Sequence, residues 1–381
     1  MKKKSKKILF IWHGAVVADY QIYIKKLASD KNYEIILLIP ESFYETGRIV
    51  RAFTGNTEFR TITLPVKREH QIVRYTFKGL GKVMRRERPD IIHLFEEPWS
   101  FCAFWAVFWK AVHAPHAAIL FQTFENLHIH LSFKQRIIEK IVHSASRMAI
   151  ACSDEIKNVL QEKGYKKEIS MIPIGVNKDN YIHLHETDIT RIREKLHIGG
   201  TVIGYVGRFS EEKGVLDLLC AFKRINEDNC TLLCIGSGGL KDDIIAFSKK
   251  ETVRNKNKRI IILDPFSPDK LGPYYACMDI LVLPSRTTPR WKEQFGRTLV
   301  EAMLCGVNVI GSDSGEIPNV IGDGGLVFPE GDVESLKDSI ELLLHDKEKA
   351  EELKKKGKER ALMNYTWEIA AEKVLQLYNS F

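Results

Sequence analysis

Short, nearly continuous apolar runs alternate with helix-patterned stretches along the whole chain, and they do so in two successive sets. In the first set, strands are expected at 8–12, 34–39, 59–64, 91–95, 117–123 and 147–152, with helices between them such as 71–88 and 133–144. In the second, strands are expected at 201–206, 231–235, 259–263, 280–284, 308–311 and 326–328, separated by helices at 215–226, 240–250, 296–305 and 333–344. Apolar strands that alternate with helices imply parallel sheets covered on both faces. Two sets imply two doubly wound Rossmann-like α/β domains. The length of 381 residues agrees, being too great for one ordinary core. The join is expected near Ile172–Val176, giving domains at 1–175 and 176–364 and a last helix within 365–381 that returns to the first.

Several function classes fall away early. The seven cysteines are odd in number and form neither a CxxC pair nor a zinc-like set, so they read as small buried hydrophobes in a reducing compartment. Lys2, Lys3, Lys4, Lys6 and Lys7 precede an apolar run and mimic a secretory leader, but His13 and Gly14 interrupt it, and a first strand ending in a loop is the better reading. The net charge of +8 is uneven: residues up to 175 carry +11 and the rest −3. A basic first half suits an anionic partner such as a membrane surface, and equally suits a merely soluble surface. No nucleic-acid partner is expected, and the chain reads as cytoplasmic, with peripheral contact on the inner face of the membrane as the sharper alternative.

Ligands of open parallel sheets bind beyond the carboxyl ends of the strands. After the strand at 201–206 come Gly207, Arg208 and Lys213, then a helix. A cation beside a helix N-terminus is disfavoured unless an anion binds there, so Arg208 and Lys213 suit a diphosphate. The alternative is a solvated face in which Lys213 pairs with Glu211 or Glu212. Gly236, Gly238 and Gly239 follow the next strand and read as a partial glycine-rich fingerprint or as a plain turn.

Glu293 and Glu301 stand eight residues apart. In one continuous helix that spacing is about 12 Å and about 80° of rotation. Glycosidase carboxylate pairs lie roughly 5–9.5 Å apart, so a hydrolytic pair is disfavoured. With the helix starting near Gly296, Glu293 falls in the loop, and Phe295 and Gly296 offer backbone N–H groups. Two carboxylates at opposite ends of one ligand suit a molecule with hydroxyls at both ends, as a nucleotide sugar has. The alternative is an acidic first turn plus one solvated glutamate.

From about residue 170 onward the chain resembles the retaining glycosyltransferases of family 4, which have the GT-B fold of two Rossmann-like domains facing across a cleft. The resemblance rests on Val206–Arg208 with Lys213 and Gly214, Ile235–Gly238, Leu283–Ser285, the Glu293/Glu301 segment, Gly315–Pro318 and Gly324–Phe328, in that order. It implies that Arg208 and Lys213 hold a diphosphate, that Glu301 binds ribose hydroxyls and that Glu293 binds donor-sugar hydroxyls. Phe295, Gly296 and Gly236 would line the donor, and Gly14 would let the first loop approach it. It also implies a nucleoside-diphosphate sugar, commonly a UDP-sugar, as donor and an acceptor hydroxyl in polysaccharide, envelope or glycoconjugate synthesis. No cofactor and no metal are expected, and no Asp-x-Asp occurs in the chain.

The first half departs from the pattern. The family often places a histidine in the loop after the fifth strand, where this chain has Phe124. Glu125 and Asn126, and Glu96 and Glu97 after the strand at 91–95, are the acceptor-side candidates; an acidic helix N-terminus is the plainer reading of the last two. The departure keeps a non-catalytic nucleotide-sugar-binding or assembly protein open, as well as a nucleotide-sugar epimerase. The aromatic helix at 99–112 is too short to span a bilayer and reads as a buried helix or as a membrane-lying face.

Overall fold

The computed structural model describes residues 5–45, 48–254 and 258–381. They form two compact units: one of residues up to Gly175 together with Trp367–Phe381, the other Val176–Thr366. Lys2, Lys3 and Lys4 of the basic N-terminal run lie outside the described residues.

The first unit holds strands β1 (Lys6–Ile11), β2 (Tyr33–Pro40), β3 (Arg60–Leu64), β4 (Ile91–Leu94), β5 (Ala118–Thr123), β6 (Met148–Ala151) and β7 (Glu168–Met171). They make one parallel sheet in the order β7-β6-β5-β4-β1-β2-β3. Ile8 to Ile11 and Ile36 to Ile39 are fully buried, as strands covered on both faces must be.

The expected helix at 71–88 is a correction. Only Leu80–Glu87 is helical. Residues before it run through turns and a short strand, Thr76–Phe77, paired with Val66–Lys67. Gly79 has φ +94°, which an α-helix cannot include, so the helix starts after it. Its basic and apolar periodicity continues upstream in the sequence, but the backbone does not.

The final helix, Trp367–Asn379, completes the first core. Trp367 stacks on Tyr23 with ring centres 4.9 Å apart, and the Tyr378 hydroxyl lies 2.7 Å from His93 Nδ1 inside the unit. Burial drives the His93 pKa down to about 3, so the imidazole stays neutral there.

The second unit holds β8 (Thr201–Val206), β9 (Cys230–Ile235), β10 (Lys258–Leu263), β11 (Ile280–Leu283), β12 (Asn308–Ser312) and β13 (Leu326–Phe328). Its parallel order is β10-β9-β8-β11-β12-β13. In each unit the chain winds outward from a first strand, then returns to that strand's other side. The reversal falls between β1 and β4 in the first unit and between β8 and β11 in the second. Doubly wound sheets bind ligands at such switch points.

Candidate functional site

At the switch point of the second unit, Lys213 and Glu293 meet. Lys213 ends a short 3-10 turn, Glu211–Lys213, between β8 and the helix Val215–Arg224. Its Nζ lies 2.7 Å from Glu293 Oε2 and 4.6 Å from the centre of the Trp291 ring. The expected alternative, a pairing with Glu211 or Glu212, is not what forms. Arg208 takes Glu212 instead, at 3.5 Å, and its side chain is 65% exposed.

Three loops hold Glu293. Ser285, just past β11, donates to the same carboxylate oxygen at 2.8 Å. Ser312, at the end of β12, donates to the Ser285 carbonyl at 2.5 Å. Glu316 N–H donates to the Glu293 carbonyl at 3.1 Å. Gly315 makes that approach possible: its φ is +56°, and a Cβ there would sit 2.0 Å from the Glu293 oxygen. The loop after β11 is tied down by Arg286, which grips Asp217 through two bonds of 2.6 Å.

The helix Arg297–Leu304 starts where the sequence places it. Among the described residues, the Phe295 and Gly296 N–H groups have no protein acceptor. Glu301 is only 2% exposed, so a solvated glutamate at this position is ruled out. Tyr275 donates to it at 2.7 Å, and Arg297 Nε lies 2.9 Å from its other oxygen. Burial first, and then Glu301 itself, push the Tyr275 phenol well above its ordinary pKa, so the hydroxyl remains the donor. Gly236 differs from expectation in what it approaches: a Cβ would lie 1.9 Å from the Gly207 carbonyl oxygen, so it packs against the neighbouring loop's backbone.

The switch point of the first unit carries a different set. Glu96 Oε1, beyond β4, receives the His13 N–H at 2.9 Å and the Tyr75 hydroxyl at 2.6 Å, and lies 2.7 Å from His13 Nδ1. The Nδ1–H tautomer of His13 donates to this carboxylate. Burial chiefly, then Cys102 and Glu96, raise the Tyr75 pKa well above normal, so this phenol also stays protonated. Gly14 is buried in the 3-10 turn His13–Val16.

The other first-half candidates do not join this set. Glu97 turns to Thr123 Oγ1 at 2.6 Å and Phe124 N–H at 2.9 Å, and burial raises its pKa to about 7. Glu125 forms a buried ion pair with Lys163, both oxygens within 2.6 Å of the ammonium, while Lys163 also holds Glu139 at 2.9 Å. Asn126 lies 3.4 Å from Glu155. Phe124 packs on Phe95, with ring centres 5.2 Å apart. Glu125 is thus held in an ion pair away from the Glu96 set. Tyr75, Trp291, Tyr275 and His13 carried no assigned role in the sequence, and Ser285 entered only as the end of the Leu283–Ser285 motif. Among the rest, His13 carried a usable signal, since it stands beside Gly14 at the end of a predicted first strand.

Chemically, the second-unit set places a cation and a carboxylate side by side with helix N–H groups nearby, a combination able to hold an anionic oxygen and a hydroxyl together. No three His, Cys, Asp or Glu side chains are grouped as metal ligands among the described residues.

Comparison with known proteins follows this division. Residues 23–180 match the model of "Glycosyltransferase Family 4", and residues 188–360 match "Glycosyl transferases group 1". The capsular polysaccharide biosynthesis glycosyltransferase CapM of Staphylococcus aureus is 28% identical over 256 residues, covering 64% of each chain. The match thus spans less than two thirds of that relative. Among solved structures, sucrose-phosphate synthase of Thermosynechococcus elongatus has TM-score 0.75 and 21% identity over 98% of both chains. Anabaena HepE in complex with UDP-glucose has TM-score 0.74 and 16% identity, covering 99% of this chain and 100% of its own. The ordered loops, the two switch points and the paired family matches agree: the chain belongs to the family 4 glycosyltransferases of GT-B fold.

Proposed function

We propose that this chain transfers a hexose-type sugar from a nucleoside-diphosphate sugar, a UDP-sugar, to an acceptor hydroxyl in the synthesis of a polysaccharide or envelope glycoconjugate. The transfer retains anomeric configuration and needs no metal. The observation that carries the reading is Lys213, Glu293 and Ser285 joined at the β8/β11 switch point. That HepE is solved with UDP-glucose, and that CapM serves capsular polysaccharide, support the donor and the setting.

In this mechanism Lys213 and Arg208 meet the diphosphate, offsetting the charge that grows as it departs. Glu293 accepts from donor-sugar hydroxyls and holds the sugar in line. Glu301 has acceptor capacity beyond Tyr275 and Arg297, because a carboxylate offers about four lone-pair sites, and it takes the ribose hydroxyls. Phe295 and Gly296 N–H groups close on the phosphate or sugar. Catalysis is electrostatic and positional. The second unit is the donor side and the first the acceptor side.

The test is a donor screen by thermal stabilisation and donor hydrolysis, followed by transfer assays with pooled acceptors, with and without chelator. Glu293→Ala should lower transfer by roughly 10²–10³-fold, the scale of losing one preorganised polar group at a reacting centre, with nucleoside diphosphate affinity nearly unchanged. Glu301→Ala should weaken nucleotide binding first. Wild-type transfer by both variants would sink the assignment. Nucleotide binding without turnover for any acceptor would favour a binding protein, and epimerised donor an epimerase. Proton NMR of the product's anomeric signal decides retention.

A further inference from the structure

Two adjacent helices of the first unit turn apolar side chains outward. On Phe101–His113 these are Trp105, Phe108 and Val112; on Phe133–Ala145 they are Phe133, Ile137 and Ile141. The second stripe recurs every four residues and so runs along one helix face. Phe133 is 77% exposed and Val112 53%. Exposed Lys134, Arg136 and Lys140 border the second stripe on the same helix.

Beside the first stripe lies a cavity of about 560 Å³. One wall is a ring stack: Trp105 on Trp109 at 6.2 Å, and Trp109 on His113 at 5.5 Å with planes 4° apart. Lys67, Lys78, Lys82 and Arg85, all exposed, also line the cavity. None of these four makes an ion pair among the described residues. Gly81 seats the stack, since a Cβ there would come within 2.7 Å of the Trp109 ring.

We propose that this face docks on an anionic bilayer, the cavity taking a phosphate-bearing lipid headgroup while Trp105, Phe108 and Phe133 enter the layer beneath. Four like charges held together without carboxylates call for a polyanionic partner. The apolar stripes call for a partner with an apolar layer next to that charge. An anionic lipid surface presents both, phosphates in its headgroup layer and acyl chains beneath. Tryptophan at the boundary fits, because indoles favour the headgroup level. The contact is peripheral, for no helix among the described residues is long and apolar enough to cross a membrane. This inference stands apart from the transferase reading, since binding is measured without turnover.

The experiment is co-sedimentation of the full chain with phosphatidylcholine vesicles and with equimolar phosphatidylcholine/phosphatidylglycerol vesicles, at low and high salt. Binding is expected only to the anionic vesicles, weakened by salt, with a blue shift of tryptophan emission. The combined variant Lys78→Ala, Lys82→Ala and Arg85→Ala should lower partitioning about 100-fold, roughly fivefold for each cation lost. Phe108→Ser with Phe133→Ser should lower it about tenfold. Circular dichroism checks that each variant folds, and Lys78→Arg with Lys82→Arg should keep binding. Equal binding to neutral vesicles, no binding, or an unaffected triple variant would overturn the proposal. So would inorganic phosphate altering tryptophan emission when vesicles do not, which would mark a soluble phosphate ligand.

Discussion

The two switch points solve the same architectural problem with opposite chemistry. In the second unit the buried carboxylate, Glu293, is matched by an ammonium, Lys213. In the first, Glu96 is matched by an imidazole and a phenol, His13 and Tyr75. An ammonium brings a formal positive charge to the carboxylate, whereas the imidazole and phenol bring N–H and O–H donors. The second centre is therefore a charge pair, and the first a carboxylate ringed by N–H and O–H donors. The contrast teaches that the same place in a doubly wound sheet carries no chemistry of its own; the loop residues assign it.

Three substitutions press on this contrast. Lys213→Met keeps the stem and removes the charge, and transfer should fall roughly 10²–10³-fold. A fall below tenfold would mean the fixed charge is not what the second unit supplies. His13→Ala should lower transfer less than Lys213→Met and should cost about 1–3 kcal/mol of stability in urea denaturation, because Glu96 loses one of its three donors in a buried setting. If it abolishes transfer while stability is untouched, the first centre is as much a reacting site as the second.

The smallest effect belongs to Glu97. Its pKa is raised in the folded chain to about 7 by burial. A raised carboxyl pKa means the folded state holds the proton more tightly than the unfolded chain. That contribution to stability is fully present below the unfolded pKa and fades as pH rises through about 7. Glu97→Gln should flatten the decline in melting temperature across that window, leaving the profile outside it unchanged. An identical decline in the variant would show that other groups cause it.

The sequence revealed the second centre far better than the first. Glu293, Phe295, Gly296 and Glu301 lie within nine consecutive positions, so their spacing could be read directly. The first centre is assembled from positions 13, 75 and 96, and no local pattern links them. Glu125 and Glu97 looked equally promising in sequence, because a one-dimensional string does not show that Lys163 already occupies one of them. The sheet strands were legible for the converse reason: burial on both faces leaves a continuous apolar signature. The helix drawn over 71–88 failed at Gly79, where a positive φ outweighs a persuasive periodicity.

The return of Trp367–Asn379 to the first unit has a consequence for biogenesis. A ribosome finishes residues 1–175 long before it reaches Trp367, yet the Trp367 ring that stacks on Tyr23 and the Tyr378 hydroxyl beside His93 come only with that last helix. The second unit, by contrast, is one uninterrupted stretch, Val176–Thr366. The nascent chain can thus complete its later-made unit first, while the earlier-made one waits with an open seam. Ribosome-stalled chains ending before and after residue 367 should differ in protease resistance at the first unit alone.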